Sequence, residues 1–316
     1  MALTLEQFAT EYLPTRGLPW PTAPKVEPVK ARPHLQALPV KAVMWNVYGT
    51  LLAIPHGEVR FENDHQFVTD AALSKTIHEF KMWQSMSRKP GAPEEYMREL
   101  YKKAYDMLRM TGSGGEKHPE VHAERVWDDI VKKLIQKEYK YDVAQFGAMP
   151  EYLKKIAYFY HSSIQGFGAQ VNAAAAVRMV IDSGRVNGLL GDGQCFTAAQ
   201  IHKAMQEQDP DFDVAIAFPM NLRTLSTDCK AKKPSETIFK AALASLAARR
   251  IAPNEALHIG SSILRDLAPA KKLGFRTALY AGDKSSLAAT AEQLKDPQLR
   301  PDVLLTDLSQ LSDILA

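Results

Sequence analysis

Residues 40–52 form a short apolar run rich in β-branched side chains, closed by Gly49-Thr50. That pattern suits a buried strand leaving into a turn. The period then changes from strand-like to helical. Between about residues 66 and 165 four amphipathic segments are expected and no strand. The clearest, 124–136, sets Val126, Trp127, Ile130, Val131, Leu134 and Ile135 on one apolar stripe. Glycines at 112, 114, 115, 166 and 168 mark the breaks between these helices. From Asn172 the pattern alternates. Residues 173–183 read as a helix stopped by Gly184, 186–190 as a strand, and Thr197 to Gln200 as a capping box opening the next helix. Then come strand 214–218, helix 235–246, strand 256–259, helix 265–273 with Gly274 as its stop, and strands 276–280 and 302–305.

Strands alternating with helices of this length imply a parallel sheet covered on both faces. The expected fold class is α/β. Residues 41–55 and 170–316 would form a discontinuous Rossmann-like core, and residues 56–169 an inserted α-helical cap. Ahead of them, residues 1–40 hold Pro14, Pro19, Pro21, Pro24, Pro28, Pro33 and Pro39. Each proline fixes its own torsion and removes a backbone donor, so an extended arm is expected. Its apolar Leu18, Trp20 and Leu35 would let it lie along the body of the protein.

Composition narrows the function classes. A chain of 316 residues that is 46% hydrophobic and 24% charged can bury a large core, with room for about two domains or one with a large insertion. The net charge of +3 is modest, and Lys102-Lys103 near Asp106 or Lys132-Lys133 near Asp128-Asp129 read as solvated helix faces. No nucleic-acid or membrane partner is expected. Two cysteines, Cys195 and Cys229, argue against a disulfide-stapled secreted scaffold. The first residues lack a basic segment followed by an apolar run, and no stretch approaches the roughly 18 apolar residues of a spanning helix. The expected location is the cytoplasm.

In sheets of this kind ligands bind beyond the carboxyl ends of the strands. Four such ends carry polar groups: Asn46 through Thr50, Gly191-Asp192-Gly193, Lys233-Pro234, and Gly260-Ser261-Ser262 leading to Asp266. In this order, and in the stretches 233–239, 257–268 and 270–274, the chain resembles the haloacid dehalogenase superfamily of hydrolases over about residues 41–316. In that family an Asp-x-Asp-Gly-Thr strand end, a Ser or Thr at a second strand end, a Lys often followed by Pro, and a final acidic cluster line one pocket.

The resemblance implies roles and also departures from them. The family's attacking carboxylate corresponds to Asn46, whose neutral amide is a far poorer nucleophile, so covalent catalysis is expected to be absent or very slow. The second acid corresponds to Tyr48, as in the dehalogenase branch, where a departing halide needs no general acid. Ser261-Ser262 with Asp266 likewise resembles the dehalogenase arrangement, but its usual Asn is Ile263, and the second motif's hydroxyl residue is Gly191. No cap arginine matches the family's halide-binding one. Asp266 is the only surviving matched metal ligand, so no cofactor is expected and Mg²⁺ is disfavoured. Lys233, the Thr50 hydroxyl, Ser261, Ser262 and nearby backbone amides would suit an anion.

Structural roles stand beside these. Asn46 could satisfy loop backbone, Tyr48 pack with a hydrogen-bonded hydroxyl, and Thr50 cap a turn. Asp266 suits a helix first turn, and Asp192 between glycines reads as a turn residue ahead of a relocated carboxylate. Cys195 and Cys229 are expected to be inert and His258 to be a core histidine. The expected function is a hydrolase-like protein that acts weakly or not at all on a small acidic, haloacid- or phosphate-like metabolite. The alternative is a non-catalytic relative serving as an anion-binding or protein-interaction module.

Overall fold

The structure, a computed structural model, describes residues 2–86, 91–111 and 114–315. Among the described residues eight strands follow one another: β1 (Ala42–Trp45), β2 (Leu52–Ala53), β3 (Gly168–Ala169), β4 (Val186–Gly191), β5 (Arg223–Leu225), β6 (Ala256–Gly260), β7 (Arg276–Tyr280) and β8 (Val303–Leu305). Six of them make one parallel sheet in the order β5-β4-β1-β6-β7-β8. The first strand in sequence thus lies at the centre, between β4 and β6. Its period of two serves both faces: Val43 and Trp45 join one apolar layer, Ala42 and Met44 the other. This two-sided burial is why residues 42–45 carry no polar position. The Trp45 indole reaches Asn187 Oδ1 at 2.7 Å, and Asn187 donates onward to the Val177 carbonyl at 2.9 Å, so the one polar group of each side chain is satisfied.

Between β2 and β3, which pair antiparallel at Leu52 and Ala169, the chain makes four long helices: Gln66–Glu79, Pro93–Met110, Ala123–Ile135 and Met149–Ile164. They have their own apolar centre, built on Leu73, Tyr101, Trp127, Ile130, Tyr152 and Phe159. The stripe read at 124–136 is buried at Val126, Trp127, Ile130, Val131 and Leu134, whereas Ile135 is exposed at the helix end. Gly114 and Gly115 fall between the second and third of these helices and Gly166 follows the fourth; Gly112 lies outside the described residues. Helices also follow β3, β4, β5 and β6, giving the sheet its covered faces.

Three expectations need correction. Residues 214–218 are not a strand: Val214–Ala217 is a helical turn, because Asp213 caps it by accepting from Ala215 N at 2.6 Å and Ile216 N at 3.4 Å. The edge strand is instead the three-residue β5. Thr197 does not cap its helix from outside but is the first residue of Thr197–Gln206, with its hydroxyl accepting from Gln194 N at 2.7 Å. The arm is not extended throughout. Thr4 and Gln7 form a capping box that starts a continuous helical segment through Thr15, and Phe8, Ala9 and Leu13 bury its apolar side. Pro14 falls next to the last residue of this segment, which ends at Thr15. From Leu18 the arm is extended, and at His34 it bridges to β8, exchanging hydrogen bonds with Leu304 at 3.0 and 2.8 Å.

Candidate active-site cleft

The carboxyl ends of β1, β4 and β6 converge on one buried ion pair. Asn46 follows β1, Gly191 ends β4, Ser261-Ser262 follow β6, and Lys233 enters from the segment beyond β5. The Lys233 ammonium donates to Asn46 Oδ1 at 2.7 Å and forms an ion pair with Asp266 Oδ1. The second Asp266 oxygen accepts from the backbone N–H groups of Ser261 and Ser262, both at 3.0 Å. Residues nearly two hundred positions apart therefore meet, as their order in the chain implied. Burial alone would raise the Asp266 carboxyl; the Lys233 ammonium, then His258 and the backbone donors, outweigh it and hold the group below the usual carboxylate range.

Asn46 is committed at both ends. Its amide nitrogen donates to the Tyr48 carbonyl at 2.8 Å and to Thr50 Oγ1 at 3.3 Å, while its oxygen accepts from the Lys233 ammonium. The glycines nearby are fitted to this arrangement. A Cβ on Gly191 would stand 2.7 Å from Asn46 Oδ1, so the hydroxyl side chain usual at that family position has no room here. Gly49 turns the chain at φ +83°, where a side chain would also meet Ser261 Oγ at 2.8 Å.

A small cavity of about 70 Å³ opens beside this network. Asn46, Tyr48, Asp192, Lys233, Ser261, Ser262 and Asp266 line it; Thr50 and Gly191 do not, the first being wholly buried under Asn46. Tyr48 presents its ring but not a free hydroxyl, which bonds Gln200 Oε1 at 2.6 Å and Thr197 Oγ1 at 2.9 Å. Burial raises its pKa well above the ordinary phenol value, so it stays protonated. Asp192 is more than a turn residue. One oxygen accepts from the Lys233 backbone N–H at 2.8 Å and the other from the Arg265 guanidinium at 2.7 Å.

Arg265 also reaches Glu58 at 3.0 Å and lines the cavity with Glu58, Glu120, Gln194 and Lys232, none of which the sequence singled out. Only Arg265 carried a signal, since it stands next to Asp266 in the matched stretch 257–268. Glu120 lies in an irregular segment beside Ala231, where Lys232 N donates to the His118 carbonyl at 2.7 Å. Its carboxyl accepts from Val121 N at 2.9 Å, Gln194 Nε2 at 3.2 Å and the Ser226 hydroxyl. Burial pushes its pKa up to about 7, against the pull of Lys232 and Ser226. His258 behaves as a core residue: burial and then the Lys233 charge lower its pKa to about 4, and its Nδ1 meets the Met44 carbonyl at 2.9 Å. Burial raises the Cys195 and Cys229 thiols, which keeps both protonated and unreactive.

Residues 230–311 match the family model described as HAD-hydrolase-like, HAD standing for haloacid dehalogenase. No curated protein matches the sequence. Among solved structures, a 2-haloacid dehalogenase from Pseudomonas syringae pv. tomato DC3000 is 17% identical with a TM-score of 0.51, covering 87% of this chain and 98% of that one. A HAD phosphatase from Thermococcus onnurineus is 16% identical with a TM-score of 0.47, covering 88% and 98%. An L-2-haloacid dehalogenase from Xanthobacter autotrophicus is 15% identical with a TM-score of 0.41, covering 86% and 96%. The chain carries the haloacid dehalogenase-like α/β fold, with a parallel sheet and inserted helices. Among the described residues no helix is long and apolar enough to cross a membrane.

Proposed function

We propose that this chain is a haloacid dehalogenase-like protein that binds a small acidic metabolite in its strand-end cleft and does not hydrolyse it through a covalent intermediate. The observation that carries this reading is the double commitment of Asn46, with Lys233 held on its oxygen at 2.7 Å and the Tyr48 carbonyl on its nitrogen at 2.8 Å. An amide so placed has neither the charge nor a base to make it a nucleophile. Mg²⁺ has no step in this reading. The two Asp266 oxygens are already taken by an ammonium and two backbone amides, and the matched positions Asn46 and Ser261 add no negative charge.

The ligand's acidic group is assigned to Arg265. Its pair with Glu58 is half open, the side chains being 40% and 36% exposed, and an exposed pair is worth only about 0–1 kcal/mol. A carboxylate or phosphate can replace Glu58 there at little cost, with Ser261 and Ser262 alongside. Lys233 and Asp266, 2% and 3% exposed, are too deeply paired to serve. The test assays the protein and Asn46→Asp on 2-chloropropionate and p-nitrophenyl phosphate, each with and without Mg²⁺. It also measures the melting temperature with added phosphate or 2-chloropropionate, since a ligand of the folded state must raise it. The expected result is no turnover by the unaltered protein and an anion-dependent rise in melting temperature that Arg265→Ala removes. Robust turnover by the unaltered protein refutes the reading.

A further inference from the structure

We propose that residues 2–40 act as a strap that holds the inserted helices closed over the sheet and so governs how far the cleft can open. Along its length the strap touches the helical layer, the return connection from it, and the sheet side. At its start, Phe8 and Leu13 are buried in the apolar centre of the inserted helices, with the Phe8 ring 6.2 Å from those of Phe80 and Phe146. Arg16 binds Glu79 at 3.2 Å, and Trp20 packs edge-on to Phe159 at 5.2 Å with the Lys75 ammonium 3.7 Å above its indole. The same helical segment meets the sheet side through Glu6, which pairs with His202 at 2.8 Å.

The strap then crosses the return connection. A Cβ on Gly166 would overlap the Thr22 carbonyl at 1.8 Å, and one on Gly168 would meet Ala23 at 2.9 Å. Glycine at both positions lets the strap lie directly on the backbone that must turn if the helical layer swings away. Beyond it, the Glu27 carbonyl accepts from Lys284 N at 2.8 Å, beside the cavity-lining Ser286. The strap ends on the sheet, where His34 pairs with Leu304 and Leu38 N donates to Ile314 O at 2.9 Å. A hinge opening between layers must therefore shear the strap from one of its two anchors. The stretch from residue 21 to residue 37 is largely exposed and carries little packing of its own, so it transmits tension without adding a core.

The experiment uses the full chain with a protease recognition sequence substituted into residues 24–33, cut once so that no part is removed. Cys195 supplies the readout: it is partly buried between the layers, packed against the helical centre from the sheet side. Labelling is followed with a thiol reagent in a Cys229→Ser background, together with amide hydrogen exchange. Cutting is expected to speed Cys195 labelling about tenfold and to raise exchange at residues 52–57 and 164–170, with 42–45 and 256–260 unchanged, as for a local opening. Unchanged labelling after complete cutting overturns the proposal. So does exchange that rises as much in the central strands as in the connections, because the arm would then support the whole fold instead of the closure. The uncut double variant Phe8→Ala/Trp20→Ala should give the same pattern more weakly, and failure of that agreement also counts against the strap.

Discussion

Replacing Asp266 with alanine removes the carboxylate bound to the Lys233 ammonium, whose side chain is 2% exposed. The ammonium keeps only the Asn46 amide oxygen, and the N–H groups of Ser261 and Ser262 lose their shared acceptor. Breaking one side of a buried pair costs about 3–5 kcal/mol, because the partner stays charged in a poor solvent. Urea unfolding followed at the Trp fluorescence, with Trp45 reporting on the sheet and Trp127 on the inserted helices, should show that loss. The melting temperature should fall by roughly 5–8 °C. The pH dependence has a definite sign. Asp266 titrates lower in the folded chain than unfolded, so its contribution is complete above the unfolded value and is lost as pH falls through the folded one. The gap between the two proteins should therefore close in acid. Replacing both partners, Lys233→Met with Asp266→Leu, removes the stranded charge and should recover most of the loss, though Asn46 Oδ1 then lacks its donor. A loss below about 1 kcal/mol for Asp266→Ala, or a double variant no better than the single one, would refute the reasoning.

Two further substitutions test the cleft. Glu120 binds its proton more tightly folded, with a pKa of about 7, than unfolded, so native stability should decline as pH rises from the ordinary carboxylate range through 7; Glu120→Gln should abolish that slope in unfolding curves taken across the range. Gly191→Ala puts a methyl 2.7 Å from Asn46 Oδ1 and should cost about 1–3 kcal/mol by denaturant titration, whereas Gly184→Ala has open space but a left-handed φ of +74° and should lose stability through strain alone, leaving the Asn46 environment unchanged by NMR.

The parts of the fold that follow from period were legible in the sequence, and the parts that follow from a single contact were not. The run at 42–45 and the stripe at 126–134 each repeat one signal several times, so neighbours reinforce one another. Residues 214–218 carry a strand-like pair of β-branched residues, yet one Asp213 cap decides for a helix. In the arm, prolines at 19 and beyond masked a helix whose only markers were Thr4, Gln7 and the spacing of Phe8 and Leu13. The meeting of Asn46, Lys233, Ser261, Ser262 and Asp266 was readable because motif order places each at a strand end. Glu58 and Glu120 were not, since their positions depend on how the inserted helices seat on the sheet, which no local pattern encodes. Thr50 matched its motif and Gly191 stands where the second motif has a hydroxyl residue; both serve Asn46 from behind, one as an acceptor and one as empty room.

The bridge at His34 has a consequence for the protein's behaviour in solution. A sheet rim normally offers a ladder of unused amides to any passing chain, which is how natively folded molecules begin to join edge to edge. Here β8 spends part of that ladder on the molecule's own leading segment, and the opposite rim, β5, is only three residues long. Neither border leaves a long template for recruitment, one being partly occupied and the other short.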